Sequence, residues 1–205
     1  CLRQLTDEGV EIASSEELGR RLAINPEQIR KDLAFFGQFG KKGVGYYVAE
    51  LKESIGGILG LDHHWNVAIV GMGHLGAALA NYQGIARLGF HLAAIFDVNP
   101  VVIGTRVGER RVEDIAYLAE IIAERDIQIG VIAVPAIHAQ GIADKLVGAG
   151  IRGIWNFAPV NLHVPPHIPF VSEDLSVGLS SLSYYLTHTT GEGDNLSERI
   201  KETLI

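Results

Sequence analysis

Sulfur-containing residues are almost absent from this chain, which has one cysteine and one methionine among its 205 residues. Because a disulfide needs two cysteines, the single Cys1 excludes an internal disulfide framework. The sequence also lacks an apolar run of about 18 residues, the length of a membrane-spanning helix, and it lacks the pattern of a secretory signal peptide. We therefore expect a soluble, cytoplasmic protein with no membrane partner.

The composition is nevertheless that of a folded chain. Hydrophobic residues make up 47% and charged residues 20% of the sequence, which allows one or two domains of about 100 to 200 residues each. The chain begins at Cys1, without an initiator methionine and inside the helix-like sequence CLRQLTDEG. We therefore expect the natural N-terminus to be truncated.

Acidic residues are in excess, and the formal net charge is −7. The excess lies mainly in residues 61–205, which carry 9 Lys or Arg against 15 Asp or Glu. Residues 20–42 have the opposite sign, with six basic groups against two acidic groups and a net charge of +4. Since screening limits the reach of a charge to about 8 to 10 Å, this basic segment can still bind phosphate.

Residues 12–37 predict two short helices joined by a tight turn. Ser14 and Glu17 fit a capping box at the start of the first helix, and its inner face holds Leu18 and Leu22 one turn apart. The second helix has Asn25 as its expected cap, followed by a proline at the first helical position. Two capped helices of this kind are typical of a helix-turn-helix with a recognition helix.

The recognition helix has an inner and an outer face. Gln28 completes a second capping box. The buried stripe, spaced i, i+4 and i+7, comprises Ile29, Leu33 and Phe36. The residues left toward the outside or the margins are Gln28, Arg30, Lys31 and Phe35.

The next segment, FGQFGKKGVGYYV, predicts two short strands around a hairpin tip that carries two lysines. Together with the two helices it predicts a winged helix, which would place the recognition helix in a major groove and the tip at a minor groove or at phosphates. The alternative is a small helical subdomain with a solvated basic face. The residues expected to contact DNA are Gln28, Arg30, Lys31, Lys41 and Lys42.

From Trp65 onward, short apolar strands alternate with longer helices. Near-continuous apolar runs predict buried strands at WNVAIVG, HLAAIFD, IQIGVIAVP and GIWNFAP. Helical periodicity lies between them, at residues 74–88, 112–125 and 136–149. This alternation is typical of an α/β fold with a doubly wound parallel sheet of the Rossmann type.

Gly71, Gly73 and Gly76 follow the first of these strands in the order G-x-G-x-x-G. We expect them to make a tight turn, to admit a pyrophosphate and to let the helix pack closely on the strand. Asp97 ends the next strand, 21 residues past Gly76, where a carboxylate can accept both hydroxyls of an adenine ribose. Because it would repel a 2′-phosphate, NAD(H) is favoured over NADP(H); a degenerate site or another adenine nucleotide is the alternative.

Catalytic and metal-binding residues are not evident. A dehydrogenase needs a proton donor or acceptor beside the nicotinamide, and His138 is the best-placed candidate. A lone histidine there is more often a helix-start or pocket-wall residue, and no nearby Arg or Lys forms a substrate clamp. His63 and His64 have no third ligand at a metal-site spacing. We expect neither an enzyme nor a metal site.

A last helix is predicted within residues 173–190, with an apolar stripe on one face and Asp174 near its start. The stripe comprises Leu175, Leu179, Leu182 and Leu186. Such a stripe favours docking, either on the chain's own sheet or on a second subunit. No role is assigned to the tail, residues 191–205.

Six segments occur in an order and spacing that identify a family: QIRKDLAFFGQFGKKGVGY, VAIVGMGHLGAALANY, FDVNP, IGVIAVPA, GIWNFAP and LSSLSYYL. The sequence resembles the Rex redox-sensing transcriptional repressors of bacteria. The resemblance implies a homodimer with a winged helix at residues 1–60, an NAD(H)-binding domain at 61–172 and an exchanged dimerisation helix at 173–190. It implies a repressor that binds palindromic operators when NADH is scarce and releases them when NADH rises.

The resemblance also implies site residues. The cofactor contacts are Gly71, Met72, Gly73, His74, Leu75, Gly76, Phe96, Asp97, Val134, Pro135, Asn156 and Phe157. The dimer contacts are Asp174, Leu175, Leu179, Leu182, Tyr185 and Leu186.

This chain departs from the family's pattern at several positions. The family commonly has Asn where His74 stands, and a Lys that often follows the ribose carboxylate is replaced within NPVVIG. The first helix is incomplete, and the tail beyond His188 is longer than usual. An alternative from another class is an NAD-dependent dehydrogenase or a CoA-ligase-like subunit, which would turn over a substrate and be indifferent to DNA.

Overall fold

The computed structural model describes residues 1–188. They divide into two compact units, the first spanning Cys1–Asp62 and the second beginning at His63. The tail that sequence analysis leaves without a role, residues 191–205, lies outside the described residues. Within residues 1–188, no helix is both long and apolar enough to cross a membrane.

The first unit contains a three-stranded antiparallel sheet in the order β1-β3-β2. Its elements are α1 (Leu2–Asp7), β1 (Ile12–Ala13), α2 (Ser15–Leu22), α3 (Pro26–Phe36), β2 (Gly40–Lys41), β3 (Gly45–Tyr47) and α4 (Val48–Ile58). Helices α2 and α3 form the predicted helix-turn-helix, and β2 and β3 form the predicted hairpin. The buried centre of the unit contains Leu5, Leu18, Ile29, Val48 and Leu51.

The caps of α2 and α3 form as the sequence predicts, but the reciprocal halves of both capping boxes do not. The Ser14 hydroxyl accepts from the Glu17 amide at 3.1 Å, and the Asn25 side chain accepts from the Glu27 amide at 2.8 Å. The Glu17 carboxylate instead binds the Arg21 guanidinium at 2.6 Å. The Gln28 amide instead donates to Asp32 at 2.6 Å. Nearby side-chain partners therefore outcompete the backbone amides of the caps.

Two residues predicted to face the core of the first unit are exposed. Leu22 is 46% and Phe36 56% exposed. Both end their helices, and the chain turns away immediately after each of them, at Ala23 and Gly37. Helical spacing locates the inner face correctly, but in so small a unit the core does not reach the last residue of either helix.

The second unit is a doubly wound sheet in the order β10-β9-β8-β4-β5-β7-β6, parallel except for the β6–β7 pair. Its strands are β4 (Trp65–Val70), β5 (Phe90–Asp97), β6 (Arg106–Val107), β7 (Arg110–Asp114), β8 (Ile129–Ile132), β9 (Gly153–Asn156) and β10 (Phe170–Ser172). Its helices are α5 (His74–Ala80), α6 (Gln83–Arg87), α7 (Leu118–Glu124), α8 (Ala136–Gly148) and α9 (Val177–His188). The Rossmann-type fold and its four predicted strands are confirmed.

Two predicted helices differ from the structure, and three strands were not predicted. Residues 112–125 are not one helix: Val112 to Asp114 belong to β7, a 3₁₀ turn spans Ile115–Tyr117, and α7 follows. The predicted helix at 74–88 is two short helices, separated at residues 81–82. Strands β6, β7 and β10 were not predicted. Val112 and Ile115 are three residues apart, which is a helical spacing, so periodicity alone extended the predicted helix into the end of β7.

The two faces of the large sheet are covered to different extents. On one face, strand residues such as Ala68, Val70 and Phe96 pack with α7 and α8 in the main core. On the other face, Val67, Ile69 and Val131 form a much smaller buried cluster. The carboxyl ends of β4, β5, β8 and β9 meet at one edge, which is where ligands bind in open parallel sheets.

Candidate cofactor and DNA-binding sites

The glycine-rich loop joins the end of β4 to the start of α5. Gly71 has φ of +101°, a conformation that side chains rarely tolerate, and its amide donates to the Phe96 carbonyl at 2.8 Å. A Cβ on Gly71 would lie 2.5 Å from the Ala133 carbonyl oxygen. This position therefore requires glycine for both its conformation and its space, as the motif predicts.

The other two glycines of the motif meet different demands. A Cβ on Gly76 would lie 1.9 Å from the Gly71 carbonyl oxygen, so the helix can approach the loop this closely only with glycine. A Cβ on Gly73, the N-cap of α5, would meet nothing within 4 Å. Gly73 thus borders open space at a helix N-terminus, where a pyrophosphate can approach the backbone amides.

Asp97 is the last residue of β5. Its carboxylate forms hydrogen bonds both to the glycine-rich loop and to the loop that follows β5. One carboxylate oxygen accepts from the Met72 amide at 2.5 Å, and the other accepts from the Asn99 amide at 2.8 Å. Each oxygen keeps a further lone pair for a ribose hydroxyl. The Met72 bond orients the carboxylate, and sequence spacing could not have revealed it.

The segments after β8 and β9 lie on the same edge as the glycine-rich loop. Ala133 donates to the Val70 carbonyl at 2.9 Å, and Phe157 donates to the Ile132 carbonyl at 2.9 Å. Val134 is half-buried, Pro135 is exposed, and the ring of Phe157 packs against Trp155 with centroids 4.5 Å apart. The predicted nicotinamide end is therefore largely apolar.

Asn156 differs from the other predicted cofactor residues because its side chain is fully buried. Its side-chain amide donates to the Ala158 carbonyl at 2.9 Å and to the Ser172 hydroxyl at 3.0 Å, while its carbonyl oxygen accepts from the Ala158 amide at 3.0 Å. The side chain therefore holds the loop after β9 in shape. It is not free to bind a ligand, which leaves Phe157 and the backbone to do so.

The two histidines of this edge lie at helix starts. His74 is the first residue of α5 and is exposed, and half-buried Leu75 follows it. His138 lies exposed in the first turn of α8, where its amide donates to the Pro135 carbonyl at 2.9 Å. In residues 1–188 no three His, Cys, Asp or Glu side chains gather into a group that could hold a metal ion.

On the first unit, the polar residues of α3 are paired with neighbours. Lys31 lies 3.3 Å from the Glu27 carboxylate on the same helix. Arg30 donates to the Ser15 hydroxyl at 2.6 Å and lies 3.4 Å from the Glu16 carboxylate, both in the first turn of α2. Arg30 therefore braces the two helices against each other, a contact that its spacing did not predict.

The two lysines of the hairpin tip have different surroundings. The Lys41 ammonium lies over the Tyr47 ring, 4.8 Å from its centroid. Lys42 is exposed and has no polar partner among the described residues. Lys42 is thus the more available of the two charges, and Lys41 is held near the hairpin by a cation–π contact.

Helix α9 is almost entirely exposed, since only Ser181 and Tyr185 among its residues are partly buried. The predicted stripe is 66% exposed at Leu175, 71% at Leu179, 57% at Leu182 and 75% at Leu186. Before the helix, the Ser176 hydroxyl and then its amide hold the pKa of the Asp174 carboxyl below its usual value. Asp174 therefore stays charged at the start of the helix.

An apolar groove of about 560 Å³ opens on the less covered face of the large sheet. Its lining includes Val67, Ile69, Leu79, Ile85, Phe90, Leu92, Val131, Trp155, Val171 and Glu173. The sequence did not predict this groove. A strand residue that is buried under a helix and a strand residue that lines a groove are both apolar, so the sequence cannot distinguish them.

Family models match both parts of the chain. Residues 62–160 match the model described as "CoA binding domain", and residues 1–34 match the one described as "Putative DNA-binding protein N-terminus". A redox-sensing transcriptional repressor Rex from Chloroflexus aurantiacus is 48% identical over 185 residues, which are 90% of this chain and 87% of that protein.

Solved structures of RSP, a Rex-family repressor, have the same fold. The complex of RSP with NAD⁺ and operator DNA is 39% identical, has a TM-score of 0.87 and is matched over 100% of this chain and 92% of its own. The complex with NADH is 39% identical, has a TM-score of 0.83 and is matched over 92% and 88%. This chain therefore belongs to the Rex family of redox-sensing transcriptional repressors.

Proposed function

We propose that this protein binds operator DNA as a homodimer and is released when NADH binds, so that transcription follows the ratio of NADH to NAD⁺. The observation that carries this proposal is the glycine-rich loop joined to Asp97 through the Met72 amide, in a chain that also contains a winged helix. The operator and cofactors found with RSP support it. Because its relatives are transcriptional repressors, they argue against the dehydrogenase and CoA-ligase-like alternatives.

The orientation of Asp97 selects among adenine nucleotides. The carboxylate would accept the two free ribose hydroxyls of NAD(H) while Gly73 admits the pyrophosphate. NADP(H) carries a phosphate on the ribose 2′ oxygen and coenzyme A carries one on the 3′ oxygen. Either phosphate would lie against the Asp97 charge, so the site favours NAD(H).

The redox state is sensed at the other end of the cofactor. NAD⁺ and NADH differ by a hydride and by the positive charge of the nicotinamide ring. We assign Val134, Pro135 and Phe157 to this end, where an apolar surrounding penalises the charged ring. The neutral ring of NADH is therefore bound more tightly.

Dimerisation uses α9. An isolated helix of 12 residues is marginal in water, so its stability must come from packing its apolar stripe. Each chain offers an exposed stripe and an open groove on its sheet, and α9 starts four residues after Glu173, which lines that groove. We propose that the stripe of each chain fills the groove of a second copy, with Tyr185 and Asp174 beside it.

Release from DNA then follows from the geometry of the dimer. Two recognition helices can enter successive major grooves only when they are roughly 34 to 36 Å apart. NADH would favour a dimer in which this spacing is lost. To change operator occupancy from 99:1 to 1:99, NADH must prefer that state by about 10⁴-fold.

Because its target is bacterial DNA, we assign the protein to the cytoplasm.

A gel-shift titration with a pool of genomic fragments tests the proposal. We expect retarded fragments in the absence of cofactor and in NAD⁺, and their release as NADH is added. NADPH and coenzyme A serve as matched controls and should release nothing at the same concentrations. Absence of any retarded fragment, or fragments that NADH leaves bound, would contradict the proposal.

A further inference from the structure

An aromatic ring stands out from the recognition helix into solvent. Phe35 is 85% exposed, the highest value among the large hydrophobic residues of the first unit. Its ring packs edge-on against Phe36, with centroids 5.1 Å apart and planes at 86°. This contact orients the ring without burying it.

Phe35 shares its face of α3 with two residues that are expected to contact DNA. Lys31 and Phe35 are four residues apart and Gln28 and Phe35 are seven apart, so the three lie within one narrow sector of the helix. At about 1.5 Å per residue, the row from Gln28 to Phe35 is about 10.5 Å long, close to three base-pair steps of about 3.4 Å.

The three side chains of this row differ in chemistry. Gln28 and Lys31 offer hydrogen-bond donors, which match adenine or guanine edges in the major groove. Phe35 offers only an apolar ring. On the major-groove edges, the apolar group is the C5 methyl of thymine, and phenylalanine is one of the side chains that contact it.

We propose that Phe35 is a specificity-determining residue that recognises a thymine methyl in the operator. The thymine would lie within about three base pairs of the base read by Gln28 or Lys31. This inference rests on the proposed binding of operator DNA. It adds a contact that is independent of charge and therefore insensitive to salt, unlike the contacts of the lysines.

A competing possibility is that Phe35 packs on a deoxyribose of the backbone, which would increase affinity for every sequence equally. The two possibilities differ in what happens when thymine loses its methyl group. Deoxyuridine pairs as thymidine does and lacks only that methyl group. Replacing thymidines one at a time therefore isolates the proposed contact.

The experiment begins with selection of bound duplexes from a random-sequence pool by the full-length wild-type protein and by Phe35→Ala. The selected duplex is then prepared with deoxyuridine in place of each thymidine in turn, and its affinity is measured by fluorescence anisotropy. Tyr117→Ala, which removes a 58% exposed aromatic ring from the second unit, is the matched control.

We expect one deoxyuridine position in each half-site to weaken wild-type binding by about fourfold, the effect of losing one buried methyl-sized group. Phe35→Ala, which loses the contact in both half-sites, should bind the thymidine duplex at least about 16-fold more weakly, be insensitive to deoxyuridine at that position, and lose the preference for T there in selection. Tyr117→Ala should behave as wild type.

Two outcomes would overturn the inference while leaving operator binding intact. One is wild-type binding that no deoxyuridine weakens. The other is a Phe35→Ala variant that still loses affinity at the same deoxyuridine. Failure of the wild-type protein to select any sequence would instead contradict the proposed function, so the two failures are distinguishable.

Discussion

The cofactor loop and the recognition helix are proposed to bind phosphate-bearing ligands with different parts of the chain. At the loop, the groups expected to face the ligand are backbone amides, and glycines at 71, 73 and 76 supply the conformation and space that these amides need. On α3, the expected contacts come from side chains that are already paired with Glu16, Glu27 and Asp32. The loop is fixed in advance, whereas the helix must exchange partners when it binds.

This difference determines how each site responds to mutation. A methyl group added at Gly71 or Gly76 would collide with the backbone, and one added at Gly73 would occupy the space expected for the pyrophosphate. Removing one side chain from α3 deletes one contact and leaves the others in place. A further difference is that the proposed cofactor contacts belong to one chain, whereas an operator needs two recognition helices at a fixed spacing.

The largest effect is expected from Leu182→Glu. This change should separate NADH binding, which uses contacts of one chain, from operator binding, which needs two chains. A carboxylate in the apolar groove would disfavour the dimer, so sedimentation should show monomers and operator affinity should fall by about 1000-fold. NADH affinity should change much less. Ser180→Glu, an exposed position outside the leucine stripe, is the control. A stable dimer of Leu182→Glu would remove α9 from the interface.

Gly73→Ala tests whether the pyrophosphate approaches the loop at Gly73. Its Cβ enters open space, so the protein should fold normally, but the methyl group would occupy the path of the pyrophosphate. We expect calorimetry to show NADH affinity reduced by about 100-fold. Gly141→Ala in α8, where a Cβ also meets nothing within 4 Å, is the matched control. Unchanged NADH binding would place the phosphates elsewhere.

Asp97→Asn tests the ribose contact with the Met72 bond retained. The amide oxygen of Asn can still accept from Met72, but its amino group cannot accept from the Asn99 amide, and the charge that the ribose hydroxyls bind is lost. NADH affinity should fall by about 10- to 100-fold, and NADH should release DNA only at correspondingly higher concentrations. Asp144→Asn, an exposed carboxylate on α8 that binds Gln140, should change neither quantity. An unaltered dose response would remove Asp97 from the site.

The smallest effect is expected from Lys31→Ala. Removing one cationic contact from each α3 of the dimer should weaken operator binding by about tenfold, and loss of two phosphate contacts would reduce the slope of log affinity against log salt by about two. NADH affinity should not change. Lys52→Ala, an exposed lysine of α4, controls for net charge. Loss of both ligands together would indicate misfolding.

The sequence predicted those features that only particular residue types at particular positions can form. The glycine spacing, Asp97, the cap at Asn25 and the GKKG hairpin were all recognisable because each requires particular residues at particular positions. The helix at 136–149 was long and periodic, and α8 occupies almost the whole of it.

Contacts between distant segments could not be predicted. The bond from Met72 to Asp97, the brace from Arg30 to Ser15 and the burial of Asn156 depend on how loops are placed in three dimensions. The end of the short strand β7 was assigned to a helix because Val112 and Ile115 have the helical spacing of three residues. The exposed end of α3 at Phe36 reflects the small size of the first unit, which composition does not reveal.

We propose that NADH and operator DNA favour opposite states of one dimer. Thermodynamic linkage requires the coupling to be reciprocal. Calorimetry of NADH binding, with and without saturating operator, should therefore give a ratio of affinities equal to the factor by which saturating NADH weakens operator binding. An NADH affinity that operator DNA leaves unchanged would contradict the account.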